Sequence, residues 1–224
     1  MISLNVRPAL LAVALLSVPV KSRAVEPAAA SQPIRVACVG DSITQGVGTR
    51  HPDEESYPAR LQKVLGKNWM ITNLGVGGRT LLRKADAYDY SSALQSAPDV
   101  VIIALGTNDS KTEIWRAHQS EFVDDYVAMI KAFQALPNHP QVWACLPPPA
   151  FPGNWGITEG VIRDGVIPGI KKAAQLTGIK VIDLHAPLLG SNGWFPDTVH
   201  PNETGAQRIA ELVATELAKR QVER

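Results

Sequence analysis

The sequence predicts an α/β fold: a three-layer α/β/α sandwich around a five-stranded parallel sheet of flavodoxin-like topology. Two observations carry this expectation. Five short runs are rich in β-branched residues and almost continuously apolar, as strands covered on both faces must be. Longer amphipathic stretches separate them, and that alternation requires right-handed crossovers between parallel strands. With 224 residues, 45% of them apolar, the chain can bury one good core, and no internal repeat suggests a second domain.

The elements follow in chain order. Residues 1–24, "MISLNVRPALLAVALLSVPVKSRA", place Arg7 ahead of an apolar run too short to span a bilayer, followed by Ser22-Arg23-Ala24 as a small-x-small cleavage site. This is the pattern of a secretory signal peptide, so the protein is expected to be exported to a periplasmic or extracellular space. Residues 25–33 form a lead-in of Ala, Pro and Ser, and the folded domain is expected over 34–224. Removing 1–24 takes away Arg7, Lys21 and Arg23 and no acidic residue, leaving a net charge of about −2, which favours neither nucleic acid nor an anionic membrane.

Strands are expected at 34–40 (IRVACVG), 69–75 (WMITNLG), 99–106 (DVVIIALG), 141–147 (QVWACLP) and 180–185 (KVIDLH). Helices are expected at 57–65, 80–95, 113–136, 159–176 and 203–219. In the third of these, Phe122, Tyr126, Met129 and Phe133 recur at spacings of three and four, which puts them on one core-facing stripe. A strand order of 2-1-3-4-5 separates Cys38 from Cys145 by an intervening strand, about 9.6 Å in all and beyond disulfide reach. Both cysteines are therefore expected to be free, buried thiols.

Sheets of this kind bind ligands beyond the carboxyl ends of their strands. Four polar segments lie there: Gly40-Asp41-Ser42, "NLGVGGRT" at 73–80, "GTND" at 106–109 and "FPDTVHP" at 195–201. Their chemistry is complementary. A serine hydroxyl is too weak an acid to attack an ester unaided, and His200 can serve as its general base. A carboxylate on the other ring nitrogen holds the required tautomer, and Asp197 stands three residues earlier. Backbone N–H groups of the glycine-rich segment and the Asn108 amide can meet an oxyanion.

The four segments, in this order and spacing, resemble the ordered blocks of the SGNH (GDSL) hydrolase superfamily, over the chain from about Ile34 to the last helix. The resemblance implies Ser42 as nucleophile, Asp197 and His200 as its triad partners, and an oxyanion hole of Ser42 N–H, a second-block glycine and Asn108. Gly75, Gly77 and Gly78 compete for the glycine position; the family pattern sets it five residues after an asparagine, here Asn73, which selects Gly78. No cofactor or metal is implied.

Other classes fit less well. "GVGGRT" matches neither phosphate-binding glycine pattern, the five histidines are scattered without H-E-x-x-H, and "LGSNGW" is not a G-x-S-x-G elbow. The expected reaction is serine-based hydrolysis of short acyl esters, O-acetyl groups on carbohydrate above all. The alternatives are a lipase, lysophospholipase or thioesterase of the same superfamily, or a non-catalytic carbohydrate-binding relative. Trp115, Trp155 and Trp194 fall in loops expected to rim the site, where indoles suit either sugar stacking or loop packing. Arg79 is expected to pair with a surface carboxylate rather than with an acidic sugar.

Overall fold

The computed structural model describes residues 32–83, 89–153 and 155–222. The signal peptide and most of the lead-in expected from the sequence lie outside the described residues.

The chain runs β1 (Ile34–Gly40), α1 (Ser42–Gln45), α2 (Pro52–Glu55), α3 (Tyr57–Leu65), β2 (Trp69–Gly75), α4 (Ser91–Gln95), β3 (Val100–Ala104), α5 (Thr112–His118) and α6 (Phe122–Gln134). It continues through β4 (Gln141–Leu146), α7 (Glu159–Val161), a π turn over Ile162–Val166, α8 (Ile167–Thr177), β5 (Lys180–Asp183) and α9 (Glu203–Val222). The five strands pair in parallel in the order β2-β1-β3-β4-β5. β1 and β3 lie inside the sheet, which is why they read as almost continuously apolar runs. β2 is an edge strand, and Met70 and Thr72 on it are exposed.

Side-chain alternation along the strands divides the core in two. Ala37, Val39, Val101, Ile103 and Ala144 face the layer built by α6 and α8. Val36, Cys38, Val100, Ile102 and Trp143 face the layer of α3 and α9. The expected stripe on α6 is fully buried, with Phe122, Tyr126, Met129 and Phe133 at 1% exposure or less. Each such side chain contributes about 1.5–3 kcal/mol of burial free energy. Cys38 and Cys145 are free and buried, on β1 and β4 with β3 between them.

Three expected helices differ from those observed, each for an identifiable reason. Among its described residues, which exclude 84–88, the stretch 80–95 is helical only over α4. Its first donors are drawn elsewhere: Leu81 N–H donates to Asp109 Oδ1 at 2.9 Å and Arg83 N–H to Asp125 Oδ2 at 2.9 Å. The stretch 113–136 breaks at Gln119–Glu121 into α5 and α6, which lets the Trp115 ring on α5 pack edge-on against Phe122 at 5.4 Å. Within 159–176 a π turn precedes α8, whose second residue, Pro168, has no N–H to continue the helical ladder.

Candidate active site

Ser42 is placed by the end of β1. Gly40 closes the strand, Asp41 caps α1 by accepting the Ile43 N–H at 2.9 Å, and Ser42 follows as the first helical residue. The first N–H groups of a helix have no intrahelical acceptor, so the Ser42 N–H is available to a ligand. Gly75, at the end of the neighbouring β2, allows that strand to press against α1: a Cβ there would sit 2.1 Å from Gln45 N. The glycine thus brings the β2 end beside the helix that carries Ser42.

The loop from Phe195 to Pro201, just before α9, supplies the histidine and carboxylate. His200 Nε2 lies 2.8 Å from Ser42 Oγ, and His200 Nδ1 lies 2.6 Å from Asp197 Oδ2. Asp197 Oδ1 also accepts the His200 N–H at 2.7 Å and the Val199 N–H at 3.1 Å, which ties the loop around its own carboxylate. With Nδ1–H donating to Asp197, Nε2 is left to accept the Ser42 hydroxyl proton. Partial burial pushes the Asp197 carboxyl up. The donors from His200 and Val199 outweigh that, and the group stays below its ordinary range and ionised.

Beyond β3 a 3-10 turn, Asn108–Ser110, carries three buried polar side chains, two of which reach the glycine-rich segment. Asn108 Nδ2 donates to the Arg79 carbonyl at 3.1 Å, and Asp109 Oδ1 accepts the Leu81 N–H at 2.9 Å. The segment following Gly78 is therefore tied to the turn through two side chains. Gly78 itself is exposed with φ +76°, a left-handed conformation suited to glycine, and the preceding Gly77 borders Ser42, where a Cβ on it would sit 4.0 Å from Ser42 Cβ. Burial pushes the Asp41 carboxyl up to about 6, against the Ile43 N–H and the nearby charge of His200. It pushes Asp109 up to about 7, against the Leu81 N–H.

All four segments singled out in the sequence thus meet at one sheet edge. Three other expectations need adjustment. Arg79 is buried rather than at the surface; its guanidinium donates to the carbonyls of Leu74 at 3.1 Å and Asp89 at 2.7 Å and pins the glycine-rich loop. Half-buried Trp115 packs against the core at Phe122, and half-buried Trp194 packs against the layer of α3 and α9. Trp155, by contrast, touches the candidate triad directly. Its Nε1–H donates to the Asp197 carbonyl at 3.0 Å, and its ring stands edge-on to the His200 imidazole with centroids 5.2 Å apart.

Sequence reasoning assigned no role to Asp109 or Thr198. Asp109 is visible in "GTND" but its burial is not. Thr198, with φ +78°, is a β-branched residue in the left-handed region, and no sequence signal marks it. Among the described residues, no three potential ligands cluster as a metal site would require, and no helix is long and apolar enough to cross a membrane.

A curated acetylxylan esterase of Xylanibacter ruminicola is 40% identical over 211 residues, covering 84% of this chain and 44% of that protein. The chain thus spans less than half the length of that relative. A solved acetyl xylan esterase superposes with a TM-score of 0.63 at 25% identity, covering 82% of this chain and 99% of the other. A carbohydrate acetylesterase family member from Sinorhizobium meliloti gives 0.64 at 20% identity, covering 82% and 97%, which speaks for the fold. Residues 38–208 match the GDSL-like Lipase/Acylhydrolase family, a span reaching from β1 into α9 and including all four segments of the site. The chain belongs to that family.

Proposed function

We propose that this protein is a serine esterase that removes short acyl groups, O-acetyl above all, from carbohydrate. The observation that carries the reading is the unbroken hydrogen-bond chain from Ser42 Oγ through His200 to Asp197, at 2.8 and 2.6 Å. The choice of carbohydrate is supported by the acetylxylan esterases among its relatives.

In the proposed reaction Ser42 Oγ attacks the ester carbonyl as His200 Nε2 takes its proton, with Asp197 holding the imidazolium. The tetrahedral oxyanion is met by the N–H groups of Ser42 and Gly78 and by the Asn108 amide, whose second N–H remains after the bond to Arg79. Each such donor is worth roughly 3 kcal/mol in the transition state. His200 then protonates the leaving sugar oxygen, the C–O bond breaks, and an acyl-Ser42 ester remains. Water, deprotonated by His200, attacks that ester and releases the acid and free Ser42.

The test is release of acetate from a panel of acetylated polysaccharides, and of fatty acid from triglycerides and lysophospholipids, with Ser42→Ala as control. The reading expects release from the polysaccharides that Ser42→Ala abolishes. Activity confined to the lipids, or equal rates for both proteins, overturns it.

A further inference from the structure

The largest core aromatics are fully buried: Trp143, Tyr57 and Phe122 are each at 1% exposure. Trp155 leaves 49% of its surface in water. It is nevertheless held in place. The Asp197 carbonyl anchors its N–H, and the His200 imidazole meets it with the two ring planes at 89°. The backbone leading into its loop is pinned as well. Phe151 N–H donates to the Thr198 carbonyl at 2.9 Å, and Ala150 N–H to Glu159 Oε2 at 2.8 Å, a carboxylate whose other oxygen lies 2.8 Å from His185 Nε2. An ordered yet uncovered indole presents apolar area to a ligand at little cost in conformational entropy.

Its position sets which part of a substrate it meets. In the proposed reaction His200 Nε2 passes its proton to the leaving oxygen, so the leaving alcohol lies against the imidazole that Trp155 borders. A pyranose with equatorial hydroxyls offers a face made of C–H bonds and a polar rim, which matches an indole face with water around it. On the other rim, exposed Gly77 and Gly78 carry no side chain that would fence off a longer chain of sugars.

We infer that the exposed face of Trp155 is the binding platform for the sugar ring that carries the ester, the leaving-group subsite of the enzyme. This rests on the carbohydrate-esterase reading above. Because an aromatic leaving group such as p-nitrophenol would stack on the same indole, the control ester must be acyclic.

The experiment compares kcat/KM on a mono-O-acetylated methyl pyranoside with kcat/KM on ethyl acetate, for wild type, Trp155→Leu and Trp155→Phe. The ratio of the two is the readout, since any fraction of misfolded protein cancels from it. Trp155→Leu is expected to lower the glycoside-to-ethyl-acetate ratio about three- to tenfold, mainly through KM on the glycoside, and Trp155→Phe to restore most of it. A ratio that does not change in Trp155→Leu, whether both rates fall together or neither falls, makes Trp155 a support for His200 only and overturns the platform while leaving the carbohydrate reading intact. The same ratio in Trp155→Phe as in Trp155→Leu also overturns it. Wild-type protein that cleaves ethyl acetate and not the glycoside overturns the carbohydrate reading and the platform with it.

Discussion

Replacing Asp109 by Asn tests whether the turn beneath the site carries a buried acid at a cost in stability. Asp109 is 1% exposed; its Oδ1 accepts the Leu81 N–H and its Oδ2 has no hydrogen-bond partner among the described residues. Burial raises its pKa from 3.8 to about 7, and the charges of Asp41 and Asp125 add to the effect. A carboxyl raised in the folded state holds its proton where the unfolded chain has lost it. The folded form is therefore favoured below about pH 4, and that advantage is lost as pH rises from there through about 7. The difference corresponds to on the order of 4 kcal/mol. Asparagine keeps the Oδ1 acceptor and cannot ionise. Its amide N–H groups would lack an acceptor at a cost of about 1 kcal/mol, the same at every pH. Urea unfolding should find Asp109→Asn within about 1 kcal/mol of wild type at pH 4 and more stable than wild type by roughly 2–3 kcal/mol at pH 8.5. A stability difference that is the same at both pH values refutes the reasoning.

Two further outcomes follow from the geometry. Asn108→Ala removes a proposed oxyanion donor and should lower kcat by about 10²–10³ with little change in KM, measured by acetate release; a loss below tenfold would remove Asn108 from the oxyanion hole. Burial pushes the Cys38 thiol up to about 12 and raises that of Cys145 as well, so native protein should resist Ellman's reagent while urea-unfolded protein titrates two thiols per chain.

Much of the architecture was legible in the sequence because strand burial is a local pattern. β1 and β2 match their expected limits, and β3, β4 and β5 end one to two residues early because Leu105, Pro147 and Leu184 already belong to the turns leading away from the sheet. The stretch 80–95 was misread as helix because the partners that claim its N–H groups, Asp109 and Asp125, lie 28 and 42 residues away. Periodicity within a window cannot register acceptors that distant.

The same division runs through the site. By itself the sequence determined the residue types and their order: a serine after β1, a glycine-rich loop after β2, an asparagine after β3 and an Asp-x-x-His pair before α9. Strand ends of one parallel sheet must gather at one edge, so order along the chain was enough to bring those groups together. Only the tertiary structure decided which of them touch, and at what cost. It placed Ser42 and His200, 158 positions apart, within 2.8 Å. It buried Asp109 within the turn after β3, packed Trp115 against the core and left Trp155 uncovered beside the imidazole. Burial and contact depend on what other segments pack against a residue, and that information is spread over the whole chain rather than held in any motif.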